Sequence, residues 1–536
     1  MKGATVTLAA TTLASSMILV DQTAVPLATP DVLADLNGAL AEGQWILTAN
    51  ILPLAALMVL GGRLGDLLGL RRVFLVGAVI FTTATAAAGA AQGMPMLIAA
   101  RVVQGTGAAL MMPMAVAITS AVYPKERRGW ALGILAGASA FFAALGPVLG
   151  GLLTSIDWRL VFWINVPLAV VTVLLTLSAT PAFRPGDGSR PKIDYLGTVT
   201  FGLGIAALVL GLSQGQADGW DSATTVGPLA ASVLLLVAFV MIELRVESPL
   251  LEFRLFRHLN FLAANVSQFL AGMIELGLGF LMPFYLLLVV GVSPEAAGIA
   301  LIPATIPIIL AGPLAGRAFD RVGGRIPLVA GFLVLSASGV ALAAAAGEQS
   351  VGPLIPGLLL QGLGLGVVLT VNDPTGLGAV PENDRGQAAG TINTTEQLGG
   401  AVGIAALTAI EVGAAERISY ERLAERGVEP TAAQVEKFKE FLLEAEQMGR
   451  ANVTIDSEVI RFAVRDSVLA HVDSFRITFL TAAGIALLGA LTCFILVRRE
   501  DRLYEAPVFS RRSRWFWATA GLGPGITRRP PPEDDR

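Results

Sequence analysis

The amino-acid sequence predicts an all-α polytopic membrane protein, with two bundles of six spanning helices and two further helices between them. Three observations carry that prediction. Hydrophobic residues make up 54% of the chain and charged residues 15%, against about 25% charged in a soluble domain, so most of the chain belongs in lipid. The apolar residues fall into fourteen runs that approach or exceed the roughly 20 helical residues needed to cross a bilayer. Between two of these runs lies a charged stretch, Gly62 to Phe74, with Gly62-x-Leu64-x-Asp66 followed by Arg71-Arg72. It is answered about 250 residues later by Gly316, Asp320, Arg321, Gly323, Gly324 and Arg325, which implies two related halves.

In chain order the spans are expected at 5–27, 45–62, 72–92, 96–120, 129–154, 159–180, 194–213, 224–243, 259–290, 296–316, 326–346, 352–372, 386–412 and 475–498. The first resembles a signal peptide in following Lys2, but it carries Asp21 and precedes many other spans, so it reads as a retained helix. The ninth is long enough that it must tilt or protrude. This divides the chain into an N-terminal bundle over 1–183, two inserted helices and their linkers over 184–256, and a C-terminal bundle over 257–498. A basic, partly disordered tail follows over 499–536.

Orientation follows from the short loops. Those after the even-numbered spans hold Arg63, Arg71, Arg72, Lys125, Arg127, Arg128, Arg184, Arg190, Lys192, Arg245, Arg254, Arg257, Arg317, Arg321, Arg325 and Arg385. The opposite loops carry Asp31, Asp35, Glu42, Asp218, Asp221, Glu295 and Glu348, with Arg159 as their base. The positive-inside rule places both termini in the cytoplasm. Residues 413–474 then form one long outer loop. Apolar residues at helical spacing between Ala432 and Met448 suggest a surface helix there. It either caps the outer mouth or is a solvated insertion without a role.

Several function classes are disfavoured. Cys493 is alone, which rules out an internal disulfide, and His258 and His471 are too few for a histidine-rich metal site. A net charge of -4 gives nucleic acid no purchase. Gln104-Gly105-Thr106-Gly107 and Gly362-Leu363-Gly364-Leu365-Gly366 lie inside apolar spans without a P-loop lysine, so they serve close helix approach rather than phosphate binding. Neither a cofactor nor a metal is expected, and the chain reads as a transporter rather than an enzyme.

The motifs resemble those of the major facilitator superfamily, and in particular its fourteen-helix drug:proton antiporters. The Gly62–Phe74 stretch resembles the signature loop between helices 2 and 3. Val20-Asp21-Gln22-Thr23 resembles the helix 1 element, and Arg101-x-x-Gln104-Gly105-x-Gly107 the helix 4 element ascribed to proton coupling. Gly146-Pro147-x-x-Gly150-Gly151 resembles the helix 5 antiporter motif, and Trp158-Arg159, Phe162 and Asn165-Val166-Pro167 a further element at helix 6. The sequence departs from the pattern at Pro26, Leu67, Leu70 and Phe142, and at Glu396, where an arginine is expected. The resemblance implies a monomer in the plasma (inner) membrane that exports amphipathic, often cationic small molecules in exchange for protons. It also implies gating by Asp66, Arg71, Arg72, Asp320, Arg321, Gly146, Pro147, Gly150 and Gly151, with Asp66 helping to lock the outward-open state.

Physical chemistry singles out some residues independently. At 1.5 Å per residue, Asp21 lies about 24 Å along helix 1 and Arg101 about 7 Å below the outer start of helix 4, so the two share a depth. A charge in the bilayer core costs several kcal/mol unless paired or wetted. An Asp21–Arg101 pair is therefore expected, either as a proton switch or as a permanent clamp. Helix 9 carries Asn265, Gln268, Gly272, Glu275 and Gly279 on one face. That stripe is expected to line a water-filled cavity, with Glu275 a proton carrier or a structural carboxylate. Asn393 and Glu396 repeat the pattern in helix 13. The candidate proton-coupling residues are thus Asp21, Arg101, Glu275 and Glu396, and the candidate cavity residues Gln104, Asn265, Gln268 and Asn393. Alternative readings are a dedicated exporter of one metabolite, antibiotic or lipid, a proton-coupled importer, and a non-transporting membrane sensor or scaffold.

Overall fold

A computed structural model describes residues 2–38, 40–181, 194–217, 219–246, 249–292, 294–348, 350–381, 384–425 and 458–498. Among these there is no strand, as expected where no water is at hand and each spanning segment must satisfy its own backbone N–H and C=O groups. The helices of the first half are α1 (Lys2–Asp35), α2 (Leu40–Leu68), α3 (Leu70–Gly89), α4 (Met94–Val122), α5 (Lys125–Thr154) and α6 (Leu160–Ala179). The inserted pair is α7 (Tyr195–Ala217) and α8 (Ala223–Glu243). Then come α9 (Leu259–Phe284), extended by a wider turn over Tyr285–Val290, α10 (Ile302–Val322), α11 (Arg325–Ala345), α12 (Ile355–Gly378), α13 (Arg385–Glu425) and α14 (Glu458–Leu496). Thirteen helices among the described residues are long and apolar enough to cross a membrane. The fourteenth expected span is α5, a helix of 30 residues.

Several helices outrun their apolar runs, because amphipathic turns continue a helix wherever a neighbour covers one side. The clearest case lies at the far end of the chain. α13 reaches Glu425 and α14 starts at Glu458, so the long loop expected over 413–474 is shorter at both ends. Arg422 Nη2 donates to Asp473 Oδ2 at 2.7 Å and ties the two extensions together. The surface helix expected between Ala432 and Met448 and the tail over 499–536 lie outside the described residues.

The repeated charged stretch is also not the loop it was expected to be. α2 stays helical through Gly62 and Asp66, and the turn into α3 falls at Gly69, whose φ of 97° suits glycine. In the second copy the turn falls at Gly323, with φ 77°. Gly62 and Gly316 serve a different purpose, the close crossing of helices. A Cβ on Gly386 would stand 2.5 Å from the Gly62 carbonyl oxygen, and one on Gly129 2.5 Å from that of Gly316. α2 therefore crosses α13, and α5 crosses α10, almost backbone to backbone. These two crossings join α1–α6 to α9–α14, while within the halves α1 packs on α5, α3 on α4, α9 on α13 and α11 on α14. The inserted α7 packs on α8, α2 and α13.

Candidate functional site

In the first half a closed polar network forms between α1 and α4. Arg101 Nη1 donates to Asp21 Oδ2 at 2.5 Å and to Gln104 Oε1 at 2.7 Å, and Arg101 Nε donates to the Ile46 carbonyl at 2.9 Å. Gln104 Nε2 reaches Asp21 Oδ1 at 3.0 Å and Thr85 Oγ1 at 2.9 Å. Asp21 and Arg101 are each 1% exposed, and Gln104 is fully buried. The Arg101 guanidinium lies 5.8 Å from the Phe162 ring centroid. At the last residue of α1, Trp158 Nε1 and Arg159 Nη1 both donate to Asp35 Oδ2, at 3.1 and 2.8 Å. These two bonds hold the Asp35 carboxyl below its usual range, the Arg159 contact being the larger cause.

The sequence expectation of a pair at one depth thus matches the geometry. Gln104, expected to line a cavity, is instead consumed by the pair. α4 places Arg101 and Gln104 one turn apart, so both reach the same carboxylate.

In the second half the first part of the polar stripe of α9, as far as Gly272, packs against α13, while Glu275 is partly exposed and Gly279 exposed. Glycines let the two helices close: a Cβ on Gly272, Gly399 or Gly403 would run into the backbone of Glu396, Phe269 or Met273 respectively. Gln268 Nε2 donates to Glu396 Oε2. Asn265 Oδ1 accepts from Thr395 Oγ1 at 3.0 Å, while the Asn265 and Asn393 amides turn back to their own helices' carbonyls. Asn265, Gln268 and Asn393 are buried. Periodicity told which face pointed inward but not what stood opposite it. Glu275 is half-buried, and its Oε2 has no hydrogen-bond partner among the described residues. Glu275 and Asp373 each stand close enough to Glu396 for the charges to interact. Asp373 was missed because α12 runs to Gly378, past the expected end of its span.

At the end of the molecule that carries the Gly69 and Gly323 turns, the repeat produces two latches. Asp66 Oδ1 and Oδ2 accept from the backbone N–H groups of Gly386 and Gln387 at 2.8 and 2.7 Å, at the start of α13. Asp320 accepts likewise from Gly129 and Trp130 in the second turn of α5, at 2.9 and 3.2 Å. Asp66 satisfies two orphan donors in the first turn of α13, where the macrodipole favours a negative charge, whereas the Asp320 donors lie one turn further into their helix.

A family model for the Major Facilitator Superfamily matches residues 11–404. The chain belongs to that superfamily. It is 33% identical over 402 residues to the tetracenomycin C resistance and export protein of Streptomyces glaucescens, covering 75% of this chain and 74% of that one. It is likewise 33% identical over 400 residues to the cephamycin export protein CmcT of Amycolatopsis lactamdurans, covering 74% of this chain and 82% of the other. The human organic anion transporter MFSD10 shares the fold with a TM-score of 0.60 at 14% identity, covering 91% of this chain and 98% of the other. The fold is thus that of the major facilitator transporters, here with two additional helices between the halves.

The remaining motif residues take distinct places in this major facilitator chain. A Cβ on Gly146 would strike Thr23 Oγ1, and one on Gly150 would stand 2.6 Å from the Ala24 carbonyl oxygen, so both seat α5 on α1. Gly151 is exposed, and the Pro147 side chain lies outside the described residues. Arg71 donates to the Leu177 carbonyl at 2.9 Å, within its own half. Arg72 and Arg321 are exposed to solvent or lipid. None of these three arginines touches a latch carboxylate in the described contacts, so the gating contacts here are backbone N–H groups on Asp66 and Asp320. Gln387 was not foreseen, because its part depends on the register of α13 against α2.

Proposed function

We propose that this chain is a proton-coupled exporter of amphipathic small molecules, working by alternating access in the plasma (inner) membrane with both termini cytoplasmic. The observation that carries the reading is the sealed Asp21–Arg101–Gln104 network. A buried ion pair adds little net stability, because desolvation offsets its Coulomb attraction. Its worth lies in being switchable: a proton on Asp21 leaves the Arg101 cation without its counter-charge, and the surrounding helices must rearrange to rehouse it. Glu275 and Glu396 form the second-half candidates for the same traffic.

On this reading the Asp66 and Asp320 latches hold the cytoplasmic side shut, and substrate loads when they part. The halves comprise 1–183 and 257–498, with the inserted helices over 184–256, and the chain acts as a monomer. Substrate binds between the halves, against mostly apolar walls with a few polar side chains that fix orientation. The names of the relatives support export of antibiotics. They also favour a second, narrower reading, since the two Streptomyces and Amycolatopsis exporters above are each named for a single compound: this chain would then be a dedicated exporter.

Purified protein in proteoliposomes tests both. An outwardly acidic pH gradient is expected to drive efflux of puromycin and of an amphipathic dye such as ethidium, each competing with the other. Efflux of one without competition supports the dedicated exporter. Efflux indifferent to the gradient contradicts proton coupling.

A further inference from the structure

The inserted helices need an explanation, because twelve helices already complete the two halves. α8 ends on Glu243, a carboxylate only 5% exposed, at the helix end where the macrodipole disfavours an anion. Its oxygens face the Asp194 carboxyl, just before α7, and accept from the linker that follows: Oε1 from the Leu250 N–H at 3.1 Å and Oε2 from the Leu251 N–H at 3.3 Å. Leu250 in turn offers its carbonyl to the Gln387 side-chain amide. Gln387 is fully buried, and its own backbone N–H is one of the two that hold Asp66. An unbroken line of hydrogen bonds thus runs from the end of α8, through the linker and α13, to the Asp66 latch on α2.

Apolar packing follows the same route. Phe201, Ile205 and Phe239 of the inserted pair bury against Ala55 and Val59 of α2, with Leu250 and Leu251 in the same cluster. Leu398 of α13 packs on its edge. On the linker, Glu252 lies 4.0 Å from Arg63 of α2 and 3.2 Å from Arg254. Among the described residues the counterpart latch, Asp320 of α10 against α5, has no such contact with the inserted pair, for α7 packs on α2 and α13. The inserted pair thus supports one latch and leaves the other alone.

We propose that the inserted pair is a staple on one of the two latches, with Glu243 as its positioning residue. By fixing Leu250 and Leu251, Glu243 orients Gln387 and so holds the start of α13 on Asp66. The α2–α13 crossing then opens less readily than α5–α10, and the chain opens asymmetrically toward its loading side. This rests on the alternating-access reading above, but its test does not depend on transport.

Amide hydrogen exchange by mass spectrometry on the full chain in lipid nanodiscs reads the two latches separately. Glu243→Ala is expected to speed exchange at Gly386 and Gln387 roughly tenfold, the worth of about one buried hydrogen bond, while Gly129 and Trp130 stay unchanged. Gln387→Met keeps the backbone donor and loses the side-chain contact; it should give the same increase, and the double variant no more than either alone. Glu243→Gln retains an acceptor and should fall between. If Glu243→Ala does not fold, Gln387→Met and Glu243→Gln make the same comparison. An increase confined to 194–201 and 249–256, equal increases at both latches, or additive increases in the double variant would overturn the staple. Absent flux in the wild type would instead overturn the transport reading and leave the exchange result standing.

Discussion

Arg101 makes three hydrogen bonds from two nitrogens, to Asp21, Gln104 and the Ile46 carbonyl. Lysine cannot reproduce that fork. Arg101→Lys is therefore expected to lose pH-driven flux almost as fully as Arg101→Met, a comparison that separates geometry from charge. Asp21→Asn removes the charge and strands the guanidinium, which costs about 3–5 kcal/mol in a buried pair and should lower the melting temperature in detergent. An unchanged melting temperature would mean that water reaches the pair. His258 gives a pH-dependent case. Burial pushes its imidazole below the usual 6.5, with Arg254 adding to the effect. Below 6.5 the unfolded chain then binds more protons than the native one. The contribution is full above pH 6.5 and is lost as pH falls from there through the lowered native value. Melting curves between about pH 7.5 and 5.5, on either side of the ordinary histidine value, should show an acid-side loss that is smaller in His258→Asn.

At the scale of elements, glycine spacing decides how closely helices cross. Gly62→Ala would drive a methyl group into the Gly386 carbonyl and force α2 from α13, an overpacking cost of about 1–3 kcal/mol. A methyl group added at Gly279 would meet nothing within 4 Å, and the position is exposed. Gly279→Ala should therefore be neutral or stabilising by up to about 1 kcal/mol. Thermal stability of the two variants, measured side by side, checks the contrast. The same glycines mark how far the sequence could be read. The Gly62 and Gly316 repeat was visible, and so was the shared depth of Asp21 and Arg101, because both depend on local spacing and on the fixed rise of a helix. What stood opposite the glycines was not visible. Gly62 stands in what was expected to be a loop and Gly272 in a stripe expected to line a cavity; both lie against α13. Gln387 and Asp373 could not be placed without the register and true length of their helices.

At the scale of the molecule, the two halves meet through paired crossings, each with a carboxylate bound by two backbone N–H groups of the other half. α13 and α14 extend beyond their apolar runs as a charged pair, fastened by Arg422 on Asp473 and by His471 Nδ1 2.8 Å from Glu411. None of these features by itself makes the molecule a pump. For that, protonation in one place must change which side is open. The direct measurement is substrate efflux from proteoliposomes under an imposed pH gradient, for the wild type and for Asp21→Asn, Glu275→Gln and Glu396→Gln. We expect gradient-driven flux in the wild type, its loss in Asp21→Asn, and a fall of roughly tenfold or more in one or both glutamate variants, the scale set by losing one positioned proton carrier. Wild-type flux retained in all three would contradict the account, because none of the three carboxylates assigned to proton traffic would then be carrying the proton.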